Sequence, residues 1–170
     1  MVIFQRGVYV ILDIIFRRVQ MITKKEEFLR FDPNVSVGPF VFGTAIEKYF
    51  EYGIKKKEVD LLDIQGFNSA TYSIPLLWED VDIVVIDGVI RHILVENFLY
   101  YRGNNLIGNS MDETKGILEC DQCSKIEHME CTNEYIYYFY SMGIDFWVFD
   151  RIVTAATCYL TELDSRDINN

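Results

Sequence analysis

The chain has little of what reaction centres are most often built from: two histidines, four cysteines and three prolines stand among 170 residues. No G-x-x-x-x-G-K-[ST], G-x-S-x-G or H-E-x-x-H occurs, so a phosphate cradle, a nucleophile elbow and a metallopeptidase helix lack their minimal parts. Basic residues are outnumbered, 16 against 26 acidic, and the net charge is −10. Such a surface repels nucleic acid phosphates unless its cations gather in one patch. The densest cluster, Lys55-Lys56-Lys57, is short and reads as a solvated loop. Long apolar runs are missing too. Val8 to Phe16 is interrupted by Asp13 and too short to span a bilayer, and Phe16-Arg17-Arg18-Val19-Gln20 offers no export cleavage site. These absences predict a cytosolic, non-enzymatic chain with no cofactor, no direct nucleic acid contact and no membrane contact.

What is present is a large apolar fraction. Half of the residues are hydrophobic and 15% aromatic, enough for one sizeable core. Residues 1–20, with Arg6, Arg17 and Arg18 against Asp13, differ in charge from the acidic body. They read as an N-terminal extension upstream of a start at Met21, and residues 21–170 as a single domain.

One outline occurs twice: an apolar run, a glycine, a hydroxyl residue, then Glu three positions on. It runs from Val41 through Gly43 and Thr44 to Glu47, and from Leu106 through Gly108 and Ser110 to Glu113. Each matches a capping box, in which the hydroxyl oxygen takes an orphan backbone N–H and the Glu reaches back to the cap. The spacing predicts helices over Ala45 to Tyr52, stopped by Gly53, and Met111 to Leu118, with a shorter helix after Thr23. Asp32 to Pro39 and Tyr100 to Asn105 read as loops. Strands are expected at Thr71 to Ile74, at Val81 to Ile86 and Val89 to Val95 around an Asp87-Gly88 type I′ turn, at Tyr135 to Tyr140, at Ile144 to Phe149, and at Arg151 to Leu160. A polar tail follows from Thr161. The expected fold is α+β: a mostly antiparallel sheet with helices on one face, built from two helix-then-three-strand repeats.

Cys120, Cys123, His128 and Cys131 have ligand types suited to tetrahedral zinc, and the first half of their spacing resembles a zinc knuckle. The second half departs from it, and Glu119, Asp121, Glu127 and Glu130 replace the basic residues that a nucleic acid module needs. A zinc-binding nucleic acid interaction module using these four residues is the alternative reading, and a loop of reduced thiols its bland counterpart. His92 sits mid-strand as a solvent-face residue, Glu79, Asp80 and Asp82 read as solvated edge charges, and Trp78 and Trp147 as core or cleft walls.

Ile83 to Ile90, followed by Tyr100 to Glu113 and the aromatic hairpin from Tyr137 to Phe149, resembles the immunity proteins of bacterial contact-dependent growth inhibition and related polymorphic toxin systems. The resemblance spans Val37 to Leu160 and rests on turns and caps. It implies a non-enzymatic protein that binds a cognate toxin C-terminal domain, expected to be a basic nuclease, in some pairs by accepting a toxin β-hairpin onto its sheet. Asp80, Asp82, Glu96, Tyr100 and Tyr101 border the central hairpin and are the expected toxin contacts; Tyr100, Tyr101, Tyr138 and Tyr140 are expected to be exposed.

Overall fold

A computed structural model describes residues 25–57, 68–75 and 80–161. The extension at 1–20, the start at Met21 with its Thr23 cap, Trp78, Glu79 and the tail beyond Thr161 lie outside the described residues. A short helix α1 (Lys25–Phe28) leads into a three-stranded sheet of β1 (Phe31–Asp32), β2 (Ser36–Val37) and β3 (Phe40–Val41). A 3-10 helix η1 (Ile46–Tyr52) precedes β4 (Lys55–Lys56), β5 (Ser69–Pro75), β6 (Asp80–Ile86) and β7 (Val89–Val95). After a small hairpin, β8 (Tyr100–Tyr101) and β9 (Asn104–Asn105), helix α2 (Met111–Leu118) precedes β10 (Lys125–Met129), β11 (Glu134–Phe139), the 3-10 turn η2 (Tyr140–Met142), β12 (Ile144–Phe149) and β13 (Ile152–Tyr159).

Eight strands form one antiparallel sheet in the order β10-β11-β12-β13-β7-β6-β5-β4. With few helices beside it, the chain is mostly antiparallel sheet in an α+β arrangement. The sheet consists of two four-stranded meanders joined where β7 meets β13. The expected unit of helix plus three strands is therefore corrected: each helical segment is followed by four strands. The missed ones are the two edge strands: β4, two lysines too short for any period, and β10, whose alternation overlaps the Cys and His spacing; backbone pairing with β5 and β11 holds them extended.

The two meanders match in detail. Asp87 and Gly88 turn β6 into β7 at φ 51° and 81°, and Asp150 and Arg151 turn β12 into β13 at 48° and 68°. Pairing shifts between Val84 and Val85 in the first hairpin and between Trp147 and Val148 in the second. Gly43 N donates to Ile90 O at 2.8 Å and Ile90 N to Thr44 O at 2.9 Å; Gly108 N donates to Val153 O and Val153 N to Asn109 O, both at 2.9 Å. At the junction Leu94 pairs with Thr157, flanked by Val95 with Ala156 and Ile93 with Cys158. Exchanging the meanders exchanges the two flanking pairs and leaves the central one in place.

Alternation along the strands sorts the sheet into two faces. Val81, Ile83, Val85, Ile93, Val95, Phe139, Ile144, Phe146, Val148, Ala156 and Cys158 are buried on one. Both helical segments lie on that face: the Phe50 ring is 6.3 Å from Tyr72, which pairs with Ile83, and Lys115 lies over Tyr137, which pairs with Phe146. An aromatic cluster fastens η1 to the small sheet, with Phe40 centred 5.7 Å from Phe28 and 5.2 Å from Tyr49. Among the described residues, no helix is long and apolar enough to cross a membrane.

Only one of the two expected capping boxes forms. Ser110 accepts from Glu113 N while the Glu113 carboxylate takes Ser110 N, opening α2. At the first site Ala45 is the N-cap and has no side-chain bond, because the Thr44 hydroxyl is engaged elsewhere, donating to Val41 O at 2.6 Å and lying 2.9 Å from the Tyr49 hydroxyl. The segment winds as a 3-10 helix and ends, as expected, at Gly53 with φ 74°. The loops expected at Asp32 to Pro39 and Tyr100 to Asn105 are likewise corrected to short strands, whose lengths of two residues fall below any sequence period.

Asn34 ties the small sheet to the distant end of the large one. Its amide donates to Ser141 O at 2.9 Å, and its carbonyl oxygen accepts from the Thr161 backbone N–H at 3.3 Å and from the Thr161 hydroxyl. Gly143 sits in this knot at φ 67°, where an added Cβ would stand 2.2 Å from Tyr159 O and 2.5 Å from Asn34 Oδ1. Gly108, at φ 87°, has nothing within 4 Å of the same position. Gly143→Ala should cost about 3 kcal/mol and Gly108→Ala about 1 kcal/mol, since only the first adds a backbone clash to the left-handed strain. Urea unfolding of the two variants checks the order; equal costs would contradict the close approach.

Candidate protein-binding edge

The second face of the sheet carries a polar row. Following the pairings across all eight strands at one level gives Lys125, Tyr138, Asp145, Thr157, Leu94, Asp82, Ser73 and Lys55. The order of chemical types is the same read from either end as far as the carboxylates: lysine, hydroxyl, aspartate. Asp82 is nearly buried and bonded to Lys57 Nζ at 2.6 Å, while its Oδ1 is buried with no hydrogen-bond partner among the described residues. Asp145 accepts from the Tyr159 hydroxyl at 2.7 Å. The two aspartates lie three strand steps apart, about 14 Å at the spacing of paired strands. That exceeds the roughly 5 to 10 Å over which two carboxylates act on one bond.

The row places the expected residues unevenly. Asp82 is held within the sheet rather than standing as the solvated edge charge expected of it. Asp80 opens β6. Glu96 is exposed just after β7. Tyr100 and Tyr101 are half-buried in the β8–β9 hairpin, where Tyr101 lies 6.2 Å from Phe31 and Arg102 stacks on it. Asp82 faces the polar side, whereas Tyr100 and Tyr101 pack against the core on the other. The fold does not gather the expected contacts into one patch. Of the four tyrosines expected to be exposed, only Tyr140 is; Tyr138 is half-buried. His92 is half-buried on the polar face, its ring 5.9 Å from that of Tyr159, and the Trp147 indole donates to the Thr157 hydroxyl at 3.3 Å.

The cysteine and histidine spacing is not drawn together either. Cys120 and Cys123 pack against the core beyond α2, with the Cys120 thiol donating to Gln122 O at 3.4 Å. His128 points from β10, stacked on Tyr135 at 4.6 Å, its Nε2 3.3 Å from Asn133 Oδ1, and Cys131 is exposed in the β10–β11 turn. Among the described residues, no group of three or more His, Cys, Asp or Glu side chains is placed to hold a metal ion. The reason is that residues 125–129 extend as a strand, which sends His128 away from the CxxC turn. Cys158 is fully buried, and burial followed by the nearby Asp145 charge pushes its thiol pKa well up.

The surface that sequence reasoning missed is β10. It ends the eight-stranded sheet, and its five residues alternate faces: Lys125, Glu127 and Met129 on the polar side, Ile126 and His128 on the other. Lys125 Nζ lies 2.9 Å from Glu127 Oε2, which also accepts from the Tyr138 hydroxyl at 2.9 Å. Lys125 first and then the Tyr138 bond hold the Glu127 carboxyl below the ordinary range; Glu127 in turn raises the Lys125 pKa. Burial, then the bond to Glu127, raises the Tyr138 phenol. Ile126 is 51% exposed and Tyr135 44%. Flanking the strand in sequence are exposed Glu119, Asp121 and Glu130 and half-exposed Glu134, of which Glu119 pairs with Arg102 at 2.6 Å. The alternation Lys-Ile-Glu-His-Met was the available signal, hidden by the metal spacing that overlaps it.

No protein-family model matches the chain, and no curated protein or solved structure shows significant similarity to it.

Two measurements follow from this geometry. Tyr138→Phe removes one donor to the Glu127 carboxylate, so the Glu127 pKa should rise toward the ordinary value; carboxyl-carbon NMR titration reads it. A depressed carboxylate stabilises the fold above its unfolded pKa and loses that contribution as pH falls through the folded one, so the variant should lose it at higher pH. In the native protein, alkylation should label Cys131 first and Cys158 only after unfolding. Equimolar zinc should leave the rates at Cys120, Cys123 and Cys131 unchanged; strong protection of all three would restore the metal reading.

Proposed function

We propose that this protein is a cytoplasmic immunity protein that binds and neutralises a cognate bacterial toxin domain, a basic nuclease, by protein–protein contact and without catalysis. The observation that carries this reading is the acidic end of the sheet: a five-residue edge strand flanked in sequence by exposed Asp121 and Glu130, with Glu134 paired to Met129 at its end, in a chain of net charge −10. A sheet edge offers main-chain donors and acceptors to an incoming strand, and the flanking acidic side chains attract a basic partner and speed encounter. Exposed Ile126, Tyr135 and Tyr140 supply apolar and aromatic area of the kind that dominates interface energetics.

Among the contacts expected from the sequence, Glu96 follows β7, four strands in from β10, and so lies away from the proposed edge, and Tyr100 and Tyr101 would contribute only their outer edges. Asp80 opens β6, five strands in from β10, and leaves the proposed edge. Asp82 leaves it, because its carboxylate is committed to Lys57 inside the sheet.

Co-expression with the toxin domain encoded beside it tests the reading through copurification and through survival only when both are present. Asp121→Lys with Glu130→Lys should slow association about tenfold at low salt, with a smaller effect at high salt, since rim charges act mainly on the encounter rate. Lys55→Glu with Lys56→Glu, at the far end of the sheet, should not slow it. A complex indifferent to the first pair would remove the acidic edge from the interface; absence of both binding and protection would remove the immunity reading.

A further inference from the structure

The two ends of the eight-stranded sheet are unlike. At one, β4 is two residues long and presents exposed Lys55 and Lys56, a short charged edge of the kind that blocks strand addition. At the other, β10 is five residues long and carries one lysine, one glutamate and a half-exposed isoleucine. Native proteins blunt, cover or pair an edge of that length, and among the described residues β10 has a strand on one side only.

Its side chains form a self-complementary pattern. Consider two copies of β10 related by a two-fold axis perpendicular to the sheet through Ile126. The strands then run antiparallel and the faces stay continuous. Ile126 meets Ile126 of the second copy, Lys125 meets Glu127 and Glu127 meets Lys125, all on matching faces. Centring the pair on Glu127 instead would set two glutamates directly opposite each other, which is unfavourable. Of the registers that centre within the strand, the one on Ile126 is the one that sets Lys125 opposite Glu127. In the single chain Lys125 and Glu127 already lie 2.9 Å apart on the polar face, so pairing adds to an ion pair that exists and needs no rearrangement. It also covers Ile126, which is 51% exposed.

We propose that β10 is a homodimerisation edge: two copies of this chain pair antiparallel about Ile126, with Lys125 of each copy opposite Glu127 of the other. The sheet then continues from one copy into the next. One added strand pair is at the small end of interface sizes, so association should be reversible and seen at roughly 100 µM. Neither the toxin nor its acidic contacts enter this proposal, and any partner strand using the same edge must displace the second copy.

Sedimentation equilibrium of the full chain tests it. The wild-type protein should approach twice the chain mass with rising concentration. Lys125→Glu sets glutamates opposite each other, Glu127→Lys sets lysines opposite each other, and each variant alone should remain monomeric. Mixed one to one, the two should form a heterodimer, because every opposed pair is then of opposite sign. The double variant Lys125→Glu with Glu127→Lys should dimerise like the wild type. A loss through misfolding would not be repaired by mixing, so rescue isolates the pairing from the fold. A wild-type chain that stays monomeric at that concentration, a Lys125→Glu variant that still dimerises, or a mixture that fails to associate would each overturn the proposal.

Discussion

The pairing of β7 with β13 is the contact on which the large sheet depends. Among the described strands it alone joins the two meanders, and every other pairing in that sheet connects neighbours within one of them. Leu94 opposite Thr157 marks its centre. A slip of one residue would turn buried Ile93 and Cys158 toward the polar face and Leu94 and Thr157 into the core, so burial of one face holds the register. The same junction sets how far apart the two aspartates of the polar row stand, and thereby removes the simplest arrangement for acid–base chemistry on this face.

Two long-range ties keep the remaining elements on that frame. Asn34 reaches across to Ser141 and Thr161, and the equivalent bonds from Gly43 and Gly108 to Ile90 and Val153 seat the entries of η1 and α2 against the hairpins that follow. With the helical segments confined to the core face, the polar row lies on the other face and β10 ends the sheet. Under the two proposals, acidic side chains would act on a basic partner from a distance, whereas Lys125 and Glu127 would select register only once two strands meet.

Several elements were legible in the sequence because a local signal suffices for them. Asp87-Gly88 specifies its turn through residues that tolerate positive φ, Ser110 and Glu113 satisfy each other across three residues, and Gly53 ends η1. The strands around β6, β7, β12 and β13 carry strong β-branched and aromatic character. The first capping box failed although its sequence is as good as the second, because Tyr49 and Val41 O compete for the Thr44 hydroxyl once the chain folds. Strand β10 was masked by a ligand spacing that its own extension pulls apart.

The sequence by itself determined the class of the protein: an acidic, largely antiparallel α+β chain with two helix-opening segments of similar outline, because turn chemistry, capping and strand propensity act over a few residues. Only the tertiary structure decided the number of strands in each meander, the commitment of Asp82 to Lys57, the dispersal of the Cys and His side chains and the exposure of β10. Each of these depends on which backbone or charge lies opposite a residue distant in the chain, and no local pattern encodes that opposition.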